Sequence, residues 1–168
     1  MSSSVKLSEQ AVPLWENMVR AMGYLRNADM QDLDLLFGWV NERSVRQNAF
    51  SSQSIVYEEH KKWFKNLLMS HNARQYIYVS DDKPIGQVRV SVEGEDAEID
   101  YSICLQERDK GHGKEMIYLL RKQVQQDFPD VKKLIARVKP GNTASQKVFE
   151  DTGYAEKYRL YELQLSDS

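Results

Sequence analysis

A short loop between two apolar segments carries residue types that bind anions. The sequence Arg-Asp-Lys-Gly-His-Gly at 108–113 follows the alternating segment 97–105 and precedes the amphipathic segment 114–128. At the start of a helix, several backbone N–H groups lack an intrahelical acceptor and the macrodipole is positive. Glycines let that backbone approach a ligand closely, which suits a phosphate or pyrophosphate. The loop is therefore a candidate phosphate-binding site.

Two common phosphate-binding motifs do not fit the spacing of this loop. A Walker-type loop has Ser or Thr after Gly-Lys to reach magnesium, but Gly-Lys at 113–114 is followed by Glu115. A dinucleotide-binding fingerprint has a third glycine three positions after the second, where this chain has Met116. Taken alone, Arg-x-x-Gly-x-Gly also fits a solvated strand-to-helix turn, in which Arg108 and Lys110 form a surface pair.

A second motif, NTASQKVFEDTGY at 142–154, lies about thirty residues downstream of the loop. It resembles the second signature of the GNAT superfamily of acetyl-CoA-dependent N-acetyltransferases, and 108–113 resembles the first. The order of elements is similar too: strand, Arg-x-x-Gly-x-Gly, helix, strand, then Asn-x-x-Ser on a short helix ending in Gly-aromatic. The resemblance covers residues 24–165.

This resemblance implies a GNAT-like fold, with acetyl-CoA as the cosubstrate and no metal. In that fold strand 97–105 splays from strand 133–138, and the pantetheine arm enters the gap and pairs with the strand backbone. The pyrophosphate lies on the N–H groups of the loop, and Asn142, which is also suited to cap its own helix, bonds the arm. The residues expected to contact the coenzyme are Ile103, Cys104, Leu105, Arg108, Asp109, Lys110, Gly111, His112, Gly113, Lys114, Asn142 and Lys147.

Attack on a thioester requires a neutral amine and a donor for the oxyanion. Glu98 and Asp100 alternate on one strand face, and A-E-I-D-Y resembles the A-E-I-G-Y of related GNAT strands, where the glutamate is a proposed base acting through water. The alternative is that both carboxylates face solvent on the outer side of the sheet. The expected oxyanion donor is the backbone N–H of Ile103 or Cys104.

The thiolate leaving group benefits from a proton, and here the chain departs from the family. Many relatives have a tyrosine where this chain has Phe149, so Tyr154, Tyr101 or bulk water would supply the proton. A covalent acetyl-cysteine route through Cys104 would require an activating histidine. None of the three histidines is a convincing partner, so we expect a buried strand cysteine: His60, His71, His112.

Residues 35–46 and 58–64 are similar to GNAT members that acetylate amino-sugar nucleotides, in particular those of bacterial nonulosonic-acid pathways. Such members usually have Trp-Arg-Asn where this chain has Trp-Val-Asn at 39–41. We therefore expect an N-acetyltransferase acting on the primary amine of a small acceptor such as an amino-sugar nucleotide. The alternatives are a protein N-terminal or lysine acetyltransferase and, given Phe149, a non-catalytic CoA-binding module.

Composition is that of one soluble globular domain. The 168 residues are 41% hydrophobic and 29% charged, with a net charge of −2 and no basic tail, which argues against nucleic acid or an anionic membrane as partner. No apolar stretch approaches the ~18 residues that span a bilayer, and Met-Ser-Ser-Ser lacks a signal-peptide core. The single Cys104 excludes an internal disulfide. We expect a cytoplasmic monomer or homodimer.

Hydrophobic periodicity predicts an N-terminal extension over 1–22, helical from 5, and the resemblance implies an acetyltransferase domain over 23–168. Strands are predicted at 24–28, 75–80, 85–92, 98–105, 133–138 and 154–165. Helices are predicted at 33–40 after an Asp29 cap, and at 58–69, 111–128 and 142–152, with Gly153 at C′. Segment 44–54 is predicted as a loop, 81–84 as a turn and 93–96 as a hairpin turn. Mixed strands with helices on both faces give an α/β or α+β fold with a mostly antiparallel sheet.

Overall fold

The computed structural model describes residues 23–163, and the helix expected within 5–22 lies outside them. The strands are β1 Tyr24–Asn27, β2 Ala73–Ser80, β3 Lys83–Glu93, β4 Asp96–Ile103 and β5 Lys133–Ala136. The α-helices are α1 Leu33–Val40, α2 Arg43–Asn48, α3 Tyr57–Leu68, α4 His112–Asp127 and α5 Thr143–Asp151. Two 3-10 turns, Met30–Asp32 and Leu105–Glu107, precede α1 and follow β4. No helix in this part of the chain is long and apolar enough to cross a bilayer.

The five strands lie in chain order, β1 to β5, in one sheet. The first four are antiparallel, and β5 runs parallel to β4. The last residue pair between them is Ile99 with Ala136, yet β4 continues to Ile103. The two strands therefore diverge after Ile99, and we call the space between them the split. The predicted mostly antiparallel sheet is confirmed.

Tight turns set the register of this sheet. Asp81 and Asp82, both with positive φ (48° and 59°), connect β2 to β3, and Gly94 (φ 61°) begins the two-residue turn between β3 and β4. Left-handed residues suit two-residue hairpins because their backbone twist matches that of the strands. The predicted 81–84 turn is thus shorter than expected, and Pro84 belongs to β3, where it pairs opposite a register shift in β2.

Each face of the sheet buries its own core. One is formed with α4 and α5, whose buried side chains are Met116, Ile117, Leu120, Val124 and Phe149. The other is formed with α1 and α3 over β1 and β2 and contains Leu33, Leu36, Phe64, Leu67, Ile77 and Val79. Burying each large aliphatic side chain contributes roughly 1.5–3 kcal/mol. The predicted helices on both faces are confirmed, and α4 is fixed against β4, where it positions the loop at 108–113.

Three sequence predictions are wrong in position or type. Residues 43–48, predicted as loop, form α2, because the Glu42 side chain accepts a bond from the Ser44 N–H (3.0 Å) and caps the helix. Residues 154–163 form no strand: Tyr154 packs against the core, and the later apolar side chains that suggested a strand are exposed, namely Tyr158, Leu160, Tyr161 and Leu163. Alternation indicates a strand only where a sheet edge pairs with it, and among the described strands β5 pairs only with β4. Leu105 lies in a 3-10 turn beyond β4.

Candidate coenzyme site

The loop between β4 and α4 has the backbone geometry of an anion cradle. Asp109 (φ 61°) and Gly111 (φ 86°) both lie in the left-handed region, and no side chain caps α4 at Gly111. The Glu115 N–H bonds the Gly111 carbonyl (3.2 Å), so the three preceding amides have no acceptor within the helix: His112, Gly113 and Lys114. Left-handed residues among consecutive N–H groups form a concave site with positive potential. We call residues 109–114 the cradle.

The two cradle glycines differ in what favours glycine. A Cβ at Gly111 would meet no atom within 4 Å, so only its left-handed backbone favours glycine. A Cβ at Gly113 would lie 3.4 Å from Val148 Cγ2 and 3.6 Å from the Tyr101 ring, which are ordinary van der Waals contacts. Space alone therefore leaves room for an alanine at 113, but a larger side chain would meet α5 and β4.

Lysine side chains lie beside the cradle in exposed ion pairs. Lys110 Nζ lies 2.9 Å from the Glu107 carboxylate, while Lys114 and Lys147 share Asp151, the latter at 3.3 Å. These two lysines lower the pKa of Asp151, chiefly through the Lys114 bond. Exposed pairs contribute little to stability, so all three ammonium groups can reorient toward a phosphate.

His112 is held by neighbouring side chains. Its Nδ1 lies 3.5 Å from the Tyr78 hydroxyl and its Nε2 lies 3.7 Å from the Glu107 carboxylate. These contacts hold the imidazole beside the loop. That His112 supplies a backbone N–H to the cradle and that its ring has a structural role remains a prediction.

Arg108 is placed differently from the lysines. Its Nε donates to the Ile103 carbonyl (2.9 Å), and its two terminal nitrogens donate to the Glu42 carboxylate (2.8 Å) and the Ser44 hydroxyl. Only 28% of the side chain is exposed. Bonds from Ser44, with a further contribution from Arg108, lower the pKa of Glu42 to about 2, so its carboxylate is ionised at neutral pH. No sequence signal marks Glu42 or Ser44 as a partner of the loop, from which they lie more than sixty residues away.

The amides of β4 divide between β3 and the split. The Cys104 N–H donates to the Ile85 carbonyl (2.8 Å), so it is already bonded. Successive N–H groups along a strand point to opposite sides. The amides of Ile103 and Tyr101 therefore point away from β3, beyond the last residue of β5. Of the two donors expected from sequence, Ile103 is the one facing the split, and Tyr101 is a third that the sequence analysis missed.

Asn142 caps α5, as the first of its two roles expected from sequence required; the second role is a hydrogen bond to the pantetheine arm. Its Oδ1 accepts from the Ser145 N–H (3.2 Å), which leaves the amide nitrogen able to donate to a ligand. Both roles are therefore compatible in one side chain.

We predict that Asn142→Ala raises the KM for acetyl-CoA and also lowers the free energy of unfolding by ~0.5–2 kcal/mol, because it removes both the cap and the donor. Asn142→Ser separates these effects, since serine caps helices well but has no amide. Steady-state kinetics and thermal denaturation of both variants test this. A normal coenzyme KM in Asn142→Ser would show that capping is the whole role of Asn142.

Glu98 and Asp100 lie on the same face of β4, as their alternation predicted, and that face is the exposed one, which is the alternative that the sequence left open. Glu98 is 48% exposed and lies 3.2 Å from Arg137 Nε, directly after the end of β5, while Asp100 lies 3.8 Å from Arg89. Three residues separate Glu98 from Tyr101 and five from Ile103, about 10 and 17 Å along a strand. Glu98 is therefore beyond direct hydrogen-bond reach of either amide, and as a base it would need a chain of waters.

Two tyrosines lie on the opposite face around Phe149, which is buried in the core. The Tyr101 and Tyr154 rings both contact Phe149 edge-on, with centroids 5.5 and 5.0 Å away. The Tyr101 hydroxyl lies 3.1 Å from Ser145 Oγ, whereas the Tyr154 hydroxyl is buried with no partner among the described residues. Burial raises the pKa of Tyr101, and raises that of Tyr154 to about 12. Both phenols are therefore protonated at neutral pH.

The expectation of a buried strand cysteine is wrong: Cys104 is half-buried and lies just beyond β4, and burial raises the pKa of its thiol. A thiol that keeps its proton is a weak nucleophile. Nothing in residues 23–163 groups three or more His, Cys, Asp or Glu side chains so that they could hold a metal ion.

We predict that Cys104→Ala retains acetyl transfer and that the enzyme shows sequential steady-state kinetics. The reason is that the thiol is protonated and its own amide is committed to Ile85. Intact-protein mass spectrometry after mixing with acetyl-CoA tests this directly. Accumulation of an acetyl-cysteine at Cys104 would contradict it.

Comparison with known proteins agrees with this geometry. The family model described as an acetyltransferase (GNAT) domain matches residues 24–155. No curated protein sequence matches the chain significantly. Solved structures match at low identity, so they bear on the fold alone.

One such structure is spermidine N-acetyltransferase from Vibrio cholerae in complex with CoA and spermine. It matches with a TM-score of 0.77 and 17% sequence identity, over 87% of this chain and 88% of that chain. A second is AAC(6')-Ib in complex with ribostamycin and coenzyme A. It matches with a TM-score of 0.71 and 18% sequence identity, over 81% of this chain and 84% of that chain. A third is RimL, a ribosomal L7/L12 alpha-N-protein acetyltransferase, in complex with coenzyme A. It matches with a TM-score of 0.69 and 18% sequence identity, over 79% of this chain and 79% of that chain. Since the family match covers most of the sequence, the chain belongs to the GNAT acetyltransferases, whose cosubstrate is acetyl-CoA.

Proposed function

We propose that the chain binds acetyl-CoA in the split and transfers the acetyl group directly to a primary amine. The observation that carries this proposal is the position of the cradle, whose uncapped amides follow the half of β4 that β5 does not pair. A pyrophosphate on the cradle amides directs the pantetheine arm along Ile103. Lys110, Lys114 and Lys147 add charge around it.

The proposed transfer uses groups on both sides of β4. The Ile103 N–H donates to the carbonyl oxygen as negative charge develops there, a contribution of the order of 10²–10³ in rate for one such donor. Glu98 accepts the ammonium proton through water. The neutral amine then attacks the carbonyl carbon to form the C–N bond, and the C–S bond to the coenzyme breaks. The departing thiolate takes a proton from Tyr154 or Tyr101, the two protonated phenols beside Phe149, and the proton that the new amide nitrogen loses restores the phenol.

We further propose an amino-sugar nucleotide as the acceptor. The similarity of 35–46 and 58–64 to enzymes of that type supports it, as does the charge near the split. Three cations lie in or next to α2. Arg43 and Arg46 belong to the helix, and Lys139 Nζ donates to the carbonyl of Gln47 in the same helix (3.2 Å). Glu42, the one acidic residue among residues 41–55, is already paired with Arg108, whereas the carboxylates of Glu98 and Asp100 lie on the exposed face of β4. Such a surface favours a phosphate-bearing acceptor over a polyamine.

An acceptor screen tests this proposal. Release of free CoA is measured with an amino-sugar nucleotide, the same amino sugar without its nucleotide, spermidine, an aminoglycoside and a peptide with a free N-terminus. We expect the nucleotide-linked sugar to have the highest kcat/KM. A preference for the peptide would indicate a protein acetyltransferase, and coenzyme binding without turnover of any amine would indicate a non-catalytic module.

A further inference from the structure

Residues 41–55, which include α2, form a closed loop. The Asn41 side chain donates to the Ile55 carbonyl (3.0 Å) and accepts from the Ile55 N–H (2.8 Å). Within the loop, Arg46 donates to the carbonyls of Ser51 and Gln53, both at 3.2 Å. These bonds give the segment a definite shape although it has few buried apolar side chains. We call residues 41–55 the α2 strap.

The strap is attached on both sides of the split. Near its start, Glu42 and Ser44 hold Arg108, which follows β4. Near the end of α2, the Gln47 carbonyl accepts from Lys139, which follows β5. Because β4 and β5 are the two diverging strands, the strap extends across the open end of the split.

Arg108 connects this strap to the strand that faces the coenzyme. It uses three of its five N–H donors on Glu42, Ser44 and the Ile103 carbonyl. The Ile103 carbonyl belongs to the residue whose N–H faces the split. A guanidinium committed in this way is less available to a phosphate than the exposed lysines of the cradle, which have only surface carboxylates as partners.

We propose that Arg108 is a positioning residue that holds the α2 strap over the split and thereby sets where the acceptor binds, without itself binding the coenzyme phosphates. This proposal rests on the function proposed above for its acceptor-binding part. Arg108, the first residue of Arg-x-x-Gly-x-Gly, would then affect binding of the acceptor and not binding of the coenzyme.

Arg108→Gln tests the proposal, with Lys110→Gln as the matched loss of one cation from the same loop. Hydrogen exchange of the α2 amides, the calorimetric Kd for acetyl-CoA and the acceptor KM are measured for both. In Arg108→Gln we expect α2 amides to exchange about tenfold faster and the acceptor KM to rise by a similar factor, since charge-assisted bonds are lost. The coenzyme Kd should stay near the wild-type value. In Lys110→Gln the coenzyme Kd should weaken while α2 exchange stays unchanged.

Glu42→Gln removes the charge from the same contact on the strap side, which weakens the bond from Arg108, and it remains informative if Arg108→Gln does not fold. It should reproduce the faster exchange, and adding it to Arg108→Gln should cause little further change. Unchanged α2 exchange in the folded variants, or a coenzyme Kd weakened in Arg108→Gln as much as the acceptor KM, overturns the proposal. If the wild-type protein acetylates no acceptor, the proposed function fails, whereas the exchange and coenzyme measurements still decide the role of Arg108.

Discussion

Gly111→Val is expected to weaken acetyl-CoA binding by at least about tenfold while the protein remains folded. At φ 86° a β-branched residue is strained by about 1–2 kcal/mol, and relief of that strain moves the cradle amides away from the anion. A Cβ at this position meets no other atom within 4 Å, so the expected cost comes chiefly from the backbone conformation. Titration calorimetry and thermal denaturation measure the two effects separately.

Gly94→Val is the matched control for this experiment. Gly94 also has a left-handed backbone (φ 61°) and open surroundings, but it lies in the hairpin at the other end of β4. It should lower thermal stability by a similar amount and leave the coenzyme Kd unchanged. Gly113→Val is less informative, since its side chain would press on Val148 and Tyr101. Equal coenzyme affinity in wild-type protein and folded Gly111→Val would show that the cradle does not bind the coenzyme.

The parts of the fold that could be predicted from sequence are those with a local signal. The apolar stripe of α4 has helical periodicity, and the Asp29 and Asn142 caps lie within three residues of the groups they bond. The strap has no such signal. Its helix α2 is stabilised by Arg108, 66 residues from Glu42, and buries no side chain completely. A contact of that kind leaves no mark on hydrophobic periodicity.

The same reasoning applies to the site. Glycine spacing predicted the cradle because backbone conformation depends on residue type, and Gly111 has the positive φ that this requires. Which β4 amide faces the split depends on pairing with β3, and that register becomes visible only through the bond from Cys104 to Ile85. The position of the Arg108 side chain depends on its tertiary partners, which the motif does not encode. The motif alone therefore led to the expectation that Arg108 contacts the coenzyme phosphates.

Glu98→Gln is expected to lower kcat by ~10²–10⁴, the usual effect of losing a general base, with little change in the acceptor KM. Glutamine preserves the size of the side chain near Arg137 but cannot accept the ammonium proton from the intervening water. The difference in kcat between the wild-type protein and Glu98→Gln should become smaller as the pH rises above the pKa of the acceptor amine, because the amine then binds in its neutral form.

Two further substitutions on the same strand face make the role of Glu98 decidable. Asp100 is the next carboxylate toward the split, so Asp100→Asn should have a smaller effect alone and deepen the loss when combined with Glu98→Gln. Asp96→Asn is the matched control: its carboxylate also pairs with a β5 cation, Lys133 at 3.0 Å, but lies farther from the split. It should leave kcat unchanged. If Glu98→Gln and the Glu98→Gln/Asp100→Asn double variant are fully active across the pH range, neither carboxylate is the base, and the amine must lose its proton to solvent before it binds.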